Sequence, residues 1–192
     1  MIGETTYFEH PGGENTEAVA AVVRKRCDEL GIRHVVAASN SGDTALKLWH
    51  ALAGSGVHLV AVAEHAGYEG GDQPSITPEQ RADLESRGIA VLVTAHALSG
   101  VARSITNTFG GVSQVEIIAH TLRRFGGEGL KVAVEVAIMA ADAGLAPTDE
   151  EIIAVGGTGW GADCAVVLRA AHMNSFFDLE IRELLAKPRT RG

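Results

Sequence analysis

Short, uninterrupted apolar segments alternate along this chain with longer segments whose apolar residues recur at helical spacing. Segments 34–38, 57–63 and 89–94 are apolar almost throughout, which is typical of strands buried on both faces of a parallel sheet. The longer segments between them predict crossover helices. Because such crossovers are right-handed and cover the sheet, the alternation predicts an α/β domain with three layers and a mostly parallel sheet.

The ends of the predicted helices carry recognisable signals. Asn15 or Thr16 caps the first helix, and Gly31 follows its end. The segment 77–80 combines a capping Thr, a Pro in the first turn and a Gln three residues later. We therefore predict a strand over 5–8, helices over 16–30, 43–53, 78–87, 112–125 and 129–143, and an irregular segment with at most one helical turn over 96–111.

The C-terminal part of the chain contains two further apolar strands, 152–155 and 164–168. Their connection, 156–163, is too short for a covering helix, so we predict that they pair antiparallel and that the sheet ends in an antiparallel strand. We predict one more helix over 178–186, although Leu179, Ile181 and Leu184 fit neither the helical nor the strand period well.

Composition limits the class of protein. The length of 192 residues predicts a single domain over 1–192. The formal net charge of −8 disfavours nucleic acid and anionic membranes as partners. Cys27 and Cys164 form no Cys-x-x-Cys pair, and no signal peptide is visible, so we expect a cytoplasmic location. The eight histidines lack metal-ligand spacing, so we predict no metal site. Whether the chain forms a homo-oligomer is left open.

The first candidate site is the loop 39–44, which joins a predicted strand directly to a helix. Phosphate binding uses free backbone N–H groups, small side chains and the positive end of a helix dipole. The loop offers these through Ser39, Asn40, Ser41, Gly42, Asp43 and Thr44. The alternative is an ordinary capped turn. We expect a phosphate-bearing small molecule here. Lys47 is either a further source of positive charge or a residue on the solvated face of the helix.

The second candidate is the loop 156–163, which contains four glycines within six residues. This is more than a simple hairpin needs, and it favours backbone wrapped around a ligand, with Trp160 as a stacking surface. The alternative is a flexible hairpin with a packed Trp. The predicted binding residues of this loop are Gly157, Thr158, Gly159, Trp160 and Gly161.

A third group of candidates follows the other predicted strands. Arg103, close to Ser99, is placed to bond a phosphate, and Gly111 lies at a second anion-compatible helix start; the alternative for Arg103 is a surface position. His65, Gly67 and His96 lie at or near predicted strand ends. Because ligands bind beyond the carboxyl ends of parallel strands, we expect these loops to form one site.

Two of these loops together resemble the C-terminal domain of pyruvate kinase, and almost the whole chain resembles a family of stand-alone archaeal and bacterial proteins with that fold. The resemblance rests on Tyr7, Phe8, Pro11, Gly12, Asn15 and Thr16; segments 38–45, 98–100, 110–113, 129–131 and 139–142; Lys47, Arg103 and Ser104; and segments 155–157, 161–163, 171–174 and 176–178.

The resemblance implies a parallel sheet with an antiparallel last strand and bound flavin mononucleotide (FMN), with no established reaction. It places the FMN phosphate on the 39–44 loop, which in pyruvate kinase is a regulatory sugar-phosphate site. Asp43 stands where that loop usually carries a basic residue, which argues against a sugar bisphosphate. The catalytic barrel of pyruvate kinase is absent, so kinase activity is not implied. The two functions that follow are an FMN-binding protein, with an FMN-dependent oxidoreductase as one form of it, and a non-catalytic sensor or regulatory module for a phosphorylated metabolite.

Overall fold

The computed structural model of the chain describes residues 3–68 and 70–190. In this part of the chain, seven strands form one sheet in the order β1-β7-β6-β5-β2-β3-β4. The elements are β1 (Thr6–Phe8), α1 (Thr16–Leu30), β2 (His34–Ala38), α2 (Asp43–Ala51), β3 (His58–Glu64), α3 (Pro78–Ser86), β4 (Ala90–Thr94), α4 (Val101–Phe109), α5 (Gln114–Asp142), β5 (Glu151–Gly156), β6 (Cys164–Arg169) and β7 (Glu180–Pro188), with 3₁₀ turns at Gly13–Asn15 and Met173–Asp178.

The sheet is parallel except around one strand. β2 pairs parallel with β3 and β5, and β3 pairs parallel with β4. β6 is antiparallel to both of its neighbours, β5 and β7. The predicted α/β fold, with its mostly parallel sheet and the antiparallel pairing of 152–155 with 164–168, is therefore confirmed. The antiparallel strand β6 does not end the sheet as expected, because β7 and β1 continue the sheet beyond it.

Helices cover both faces of the sheet and bury two separate cores. On one face, α1, α2 and α3 contribute Val19, Val23, Leu48 and Leu84 to the core. On the other face, α5 buries a row that includes Val134 and Ile138 against β2, β5 and β6. The two cores lie between the sheet and the helices on each face, so the molecule has the predicted three layers. They hold in place the strands whose ends carry the candidate loops.

The tail of the chain is a strand, so the predicted helix over 178–186 is wrong. β7 pairs antiparallel with β6, and β1 pairs parallel with the other side of β7. β6 is buried along most of its length, and without β7 its outer backbone groups would be buried without hydrogen-bond partners. Leu179 precedes β7, and register shifts between Ala165 and Val166 and between Val167 and Leu168 interrupt the alternation of side chains along it, which explains why Ile181 and Leu184 do not keep a strand period.

The segment predicted to be irregular contains a nine-residue helix, α4, so the expectation of at most one helical turn is also wrong. The side chains of Val101, Ile105 and Phe109 recur every four residues along it, yet they are 76%, 51% and 81% exposed. Glycines bound this helix at both ends, which disguises its start and end in the sequence. The two helices predicted over 112–125 and 129–143 correspond to α5, which is broken by non-helical backbone at Gly127.

No helix in the described part of the chain is long and apolar enough to cross a lipid bilayer.

A histidine pair at the amino ends of β2 and β3 predicts a pH dependence of stability. The His34 ring stacks on His58 with 5.2 Å between centroids, and its Nε2 lies 3.5 Å from Oε1 of Glu150. Burial lowers the pKa of His34, and Glu150 only partly offsets this. As pH falls below about 6.5, the unfolded chain binds a proton that folded His34 binds less readily, so stability is lost. We expect His34→Gln to reduce this loss, measured by urea unfolding at a series of pH values; an unchanged slope would contradict the assignment.

Candidate functional site

A cleft of about 610 Å³ opens at the carboxyl ends of β2, β3 and β5. The α2 N-terminus, α4 and the second half of α5 form its other walls. Its lining residues are Thr16, Ala38, Ser39, Asn40, Ser41, Asp43, Thr44, Leu46, Lys47, Val62, Ala63, Glu64, Tyr68, His96, Ser99, Arg103, Arg123, Glu128, Lys131, Val132, Glu135, Val136, Met139, Gly157, Gly159, Trp160 and Gly161. The fold therefore brings loops from distant parts of the sequence to one site, at the end of the sheet where ligands bind in such folds.

Most of the predicted site residues lie on this cleft. Those that line it are Ser39, Asn40, Ser41, Asp43, Thr44, His96, Ser99, Arg103, Gly157, Gly159, Trp160 and Gly161. Those that do not line it are Gly42, His65, Gly67, Gly111 and Thr158. Gly42 faces the protein interior, because a Cβ atom there would lie 3.3 Å from the Cδ1 of Leu84. Gly111 follows α4, whose first turn is the end that reaches the cleft.

The 39–44 loop is held by bonds that leave part of the α2 N-terminus free. The Ser39 N–H donates to the carbonyl of Val62 at 2.8 Å, and its hydroxyl accepts from the Ala45 N–H at 3.1 Å. Asn40 Oδ1 accepts from the Glu64 N–H at 3.2 Å, which ties the loop to β3. Within the described residues, the Thr44 N–H has no acceptor. The loop is therefore anchored at its base while a first-turn amide stays available to a ligand.

A carboxylate already stands at this helix N-terminus. The Ser41 hydroxyl donates to Oδ2 of Asp43 at 2.9 Å. Nζ of Lys47 lies 3.3 Å from Oε1 of Glu17, so its charge is shared with α1. The loop therefore combines the helix dipole with one fixed negative charge, and an anionic ligand here must lie close to Asp43.

Asp163 organises the 156–163 loop from inside the protein. Its Oδ2 accepts from the N–H groups of Gly12 and Thr158, each at 3.1 Å. Its Oδ1 is buried without a partner among the described residues. Burial raises the pKa of this carboxyl, with the two hydrogen bonds acting in the opposite direction. The side chain thus joins the loop to the segment before α1 and fixes the shape of the cleft rim.

Trp160 forms a shelf at the rim of the cleft. A Cβ atom on Gly13 would lie 2.2 Å from the Trp160 ring, so the ring packs directly on the Gly13 backbone. Beside it, the Thr16 hydroxyl donates to the Gly13 carbonyl at 2.6 Å and accepts from the Ala162 N–H at 2.9 Å. Trp160 as a whole nevertheless stays 68% exposed. One face is thus held by the protein while much of the ring stays available to a flat ligand.

A buried ion pair from α5 lies in the cleft wall. Nζ of Lys131 is 2.5 Å from Oε2 of Glu135, and both residues are at least 95% buried. Oε1 of Glu135 accepts from the Leu98 N–H at 2.8 Å, so the carboxylate also holds the loop that leads into α4. The Glu135 carboxylate therefore has a bonded, structural role. Lys131 was not among the predicted site residues, although the i,i+4 spacing of two charges in an apolar helix is a usable signal.

A cluster of rings occupies the opposite part of the cleft. The His96 ring lies 4.7 Å from the Tyr68 ring and 5.5 Å from the His65 ring, between centroids. Burial is the largest cause of the lowered pKa of His96; Glu135 acts to raise this pKa, and Lys131, His65 and Arg103 lower it further. His96 Nδ1 is buried, with no partner in the part of the chain that the structure describes. His96 is therefore neutral at physiological pH.

The helix N-termini on the cleft differ from those elsewhere. α3 and α5 begin with complete capping boxes, at Thr77 and Ser113, and these first turns lie away from the cleft. α2 and α4 begin at Gly42 and Gly100, whose lack of a side chain leaves no cap. Uncapped amides bind water or an anion, so two helix ends with free donors face the same cavity.

Within residues 3–68 and 70–190, no group of three or more His, Cys, Asp or Glu side chains is arranged to hold a metal ion.

Comparison with known proteins identifies the relatives of this fold. The family described as "Pyruvate kinase, alpha/beta domain" matches residues 17–168. Among solved structures, a pyruvate kinase from Cryptosporidium parvum is similar at 15% identity and a TM-score of 0.43, covering 81% of this chain and 23% of that chain. The Cryptosporidium parvum pyruvate kinase in complex with ADP gives 17% identity and a TM-score of 0.39, with 79% and 22% covered. This chain spans less than a quarter of the length of these two structures.

Proposed function

This chain belongs to the pyruvate kinase alpha/beta domain family, and we propose that it binds FMN in the cleft, with the phosphate on the 39–44 loop. The observation that supports this most directly is that the free end of α2 and the Trp160 shelf open into one cavity. A phosphate needs the free end of α2, and a flat ring needs the Trp160 shelf. The cavity volume of about 610 Å³ lies inside the range of small-molecule and cofactor sites, roughly 300–1,000 Å³.

The phosphate end of the proposal depends on the first turn of α2. The Thr44 amide is a donor beside the positive end of the helix dipole, whereas the Ser41 hydroxyl already donates its proton to Asp43. The Asp43 carboxylate opposes an anion at the same place. The loop therefore suits a phosphate monoester, which carries about −1.5 to −2 charges near neutral pH, better than a bisphosphate, which carries roughly twice that charge.

The ring end depends on apolar and aromatic side chains. The cleft floor contains Val62, Val132, Val136 and Met139, and Trp160 lies at its rim. These side chains bury a planar ring by the hydrophobic effect and by stacking. Bound flavin would supply electron-transfer chemistry, while the chain's own residues bind it, orient it and exclude water.

Two neighbouring substitutions test the phosphate end in opposite directions. Ser41→Asp adds a second carboxylate beside Asp43, and like-charge repulsion is expected to weaken FMN binding at least about tenfold. Asp43→Asn removes the existing carboxylate and is expected to tighten binding roughly fivefold, corresponding to about 1 kcal/mol. Both dissociation constants are measured by quenching of flavin fluorescence.

Riboflavin is the matched control because it has the same ring and no phosphate. Its affinity should change little in either variant. If both ligands respond equally to Ser41→Asp, or if neither does, the phosphate does not lie on the 39–44 loop.

A non-catalytic sensor for another phosphorylated metabolite is the second candidate function. It is favoured by the same observation at the α2 N-terminus, since free amides bind any phosphate ester. Thermal-shift measurements with FMN, riboflavin and a set of sugar monophosphates separate the two. Stabilisation by a sugar monophosphate without any by FMN would replace the first proposal with this one.

A further inference from the structure

The end of the cleft furthest from Trp160 contains a second set of anion-binding groups. Arg103, Ser99 and the first turn of α4 lie there with Lys131 and His96. α4 follows β4, whereas the 39–44 loop follows β2, and β3 lies between them. Because neighbouring strands are about 4.8 Å apart, the two sets of donors begin from strands about 10 Å apart.

The donors at this end are built into the fold and have few protein acceptors. Lys131 is 95% buried and uses one bond on Glu135, which leaves further ammonium protons for the cleft. Arg103 forms no ion pair with any described residue. The amides of Ala102 and Arg103 likewise have no acceptor among the described residues, since Gly100 gives α4 no cap. Burying a lysine is costly unless its protons are bonded, so this arrangement calls for an acceptor.

The local charge indicates what kind of anion fits. The charged groups that act on His96 are Lys131, Arg103 and Glu135, alongside the neighbouring His65. Of the Lys and Arg side chains that line the cleft, Lys47, Arg123 and Lys131 pair with Glu17, Glu128 and Glu135, so Arg103 is the one without an ion pair to a described residue. A guanidinium presents two parallel N–H donors that match the two oxygens of a carboxylate.

We propose that this end of the cleft is a separate subsite for a small organic monocarboxylate, held by Arg103, the first turn of α4 and Lys131. It depends on the proposed function only in that FMN is assigned to the other end. Ser99 adds a hydroxyl donor, and the His96 ring, stacked on Tyr68, forms the side wall. A second ligand of the cleft is therefore recognised by its carboxylate.

The test uses propionate as the probe and propionamide as its neutral counterpart, each titrated into the FMN-free protein. Amide resonances are followed by NMR. Propionate is expected to shift the Leu98, Ala102 and Arg103 amides saturably, with a dissociation constant on the order of 1 mM. Propionamide should not, because it lacks the charge.

Arg103→Gln and Arg124→Gln form a matched pair. Both arginines are exposed, lie on helices and have no ion pair in the described part of the chain, but only Arg103 lines the cleft. Arg103→Gln is expected to weaken propionate binding at least about tenfold, and Arg124→Gln to leave it unchanged. Ser99→Ala, expected to weaken it less, repeats the test without changing charge.

Three results would overturn the subsite: equal shifts with propionamide, equal affinities in the two arginine variants, or shifts confined to residues 41–44. Its failure is distinguishable from that of the proposed function, because FMN titration of the same samples is a separate measurement. Propionate binding without FMN binding would leave the subsite standing and remove the FMN assignment. FMN binding without propionate binding would remove the subsite and leave the FMN assignment standing.

Discussion

Replacing Gly161 with alanine is expected to lower the free energy of unfolding by about 2–5 kcal/mol and to disrupt the cleft rim. Gly161 has a φ of 67°, which costs a residue with a Cβ atom about 1–2 kcal/mol. The added Cβ would also lie 2.5 Å from the Gly13 Cα and 2.6 Å from the Thr16 hydroxyl oxygen. Neither neighbour can withdraw easily, because the Trp160 ring covers Gly13 and two hydrogen bonds hold the Thr16 hydroxyl. Overpacking of this kind adds about 1–3 kcal/mol.

Gly159→Ala is the matched control for this prediction. Gly159 lies in the same loop with a φ of 76°, but nothing lies within 4 Å of the position its Cβ would occupy. Gly159→Ala should therefore lower the free energy of unfolding only by the backbone contribution of about 1–2 kcal/mol. Urea unfolding measures both variants. Equal losses would show that the Gly13 contact is not fixed, and Trp160 would then not form a rigid shelf.

Replacing Glu135 with leucine is expected to cost about 3–5 kcal/mol, because it leaves the buried Lys131 ammonium without its counter-charge. The Leu98 N–H also loses its acceptor. Adding Lys131→Met to Glu135→Leu removes the uncompensated charge, so the double variant should recover about 2 kcal/mol of this loss. A deficit of about 1–3 kcal/mol is expected to remain from the unpaired Leu98 N–H.

An exposed pair with the same spacing is the control. Nε of Arg81 lies 2.8 Å from Oε1 of Glu85 on the surface of α3, where solvent screens the charges. Glu85→Leu should therefore change stability by no more than about 0.5 kcal/mol. Similar losses for Glu135→Leu and Glu85→Leu would contradict the assigned burial, as would a double variant no more stable than Glu135→Leu alone.

The parts of the fold that sequence predicted correctly are those determined by local pattern. β2, β3 and β4 are uninterrupted apolar segments, and the α3 capping box at Thr77 is a local signal that the structure reproduces. The 39–44 and 156–163 loops could be placed on one edge of the sheet because parallel strands share their carboxyl ends. Their convergence on one cleft followed from topology alone.

The parts that sequence missed depend on contacts between distant segments. β7 is a strand because β6 needs a partner, and bulges in that pairing hide the alternation of its side chains. α4 was hidden by its glycine boundaries and by an apolar face that stays largely exposed. Lys131 lies more than 25 residues from Arg103 and Ser99, and only the path of α5 brings it to the same cavity.

The most direct test of the FMN assignment is an equilibrium titration of the purified protein with FMN and with riboflavin, followed by flavin fluorescence and absorbance. We expect one FMN per chain, with riboflavin binding at least about tenfold more weakly because it lacks the group that the α2 N-terminus holds. No uptake of FMN, or equal affinity for FMN and riboflavin, would contradict the assignment of the 39–44 loop as the phosphate site of a flavin-binding cleft.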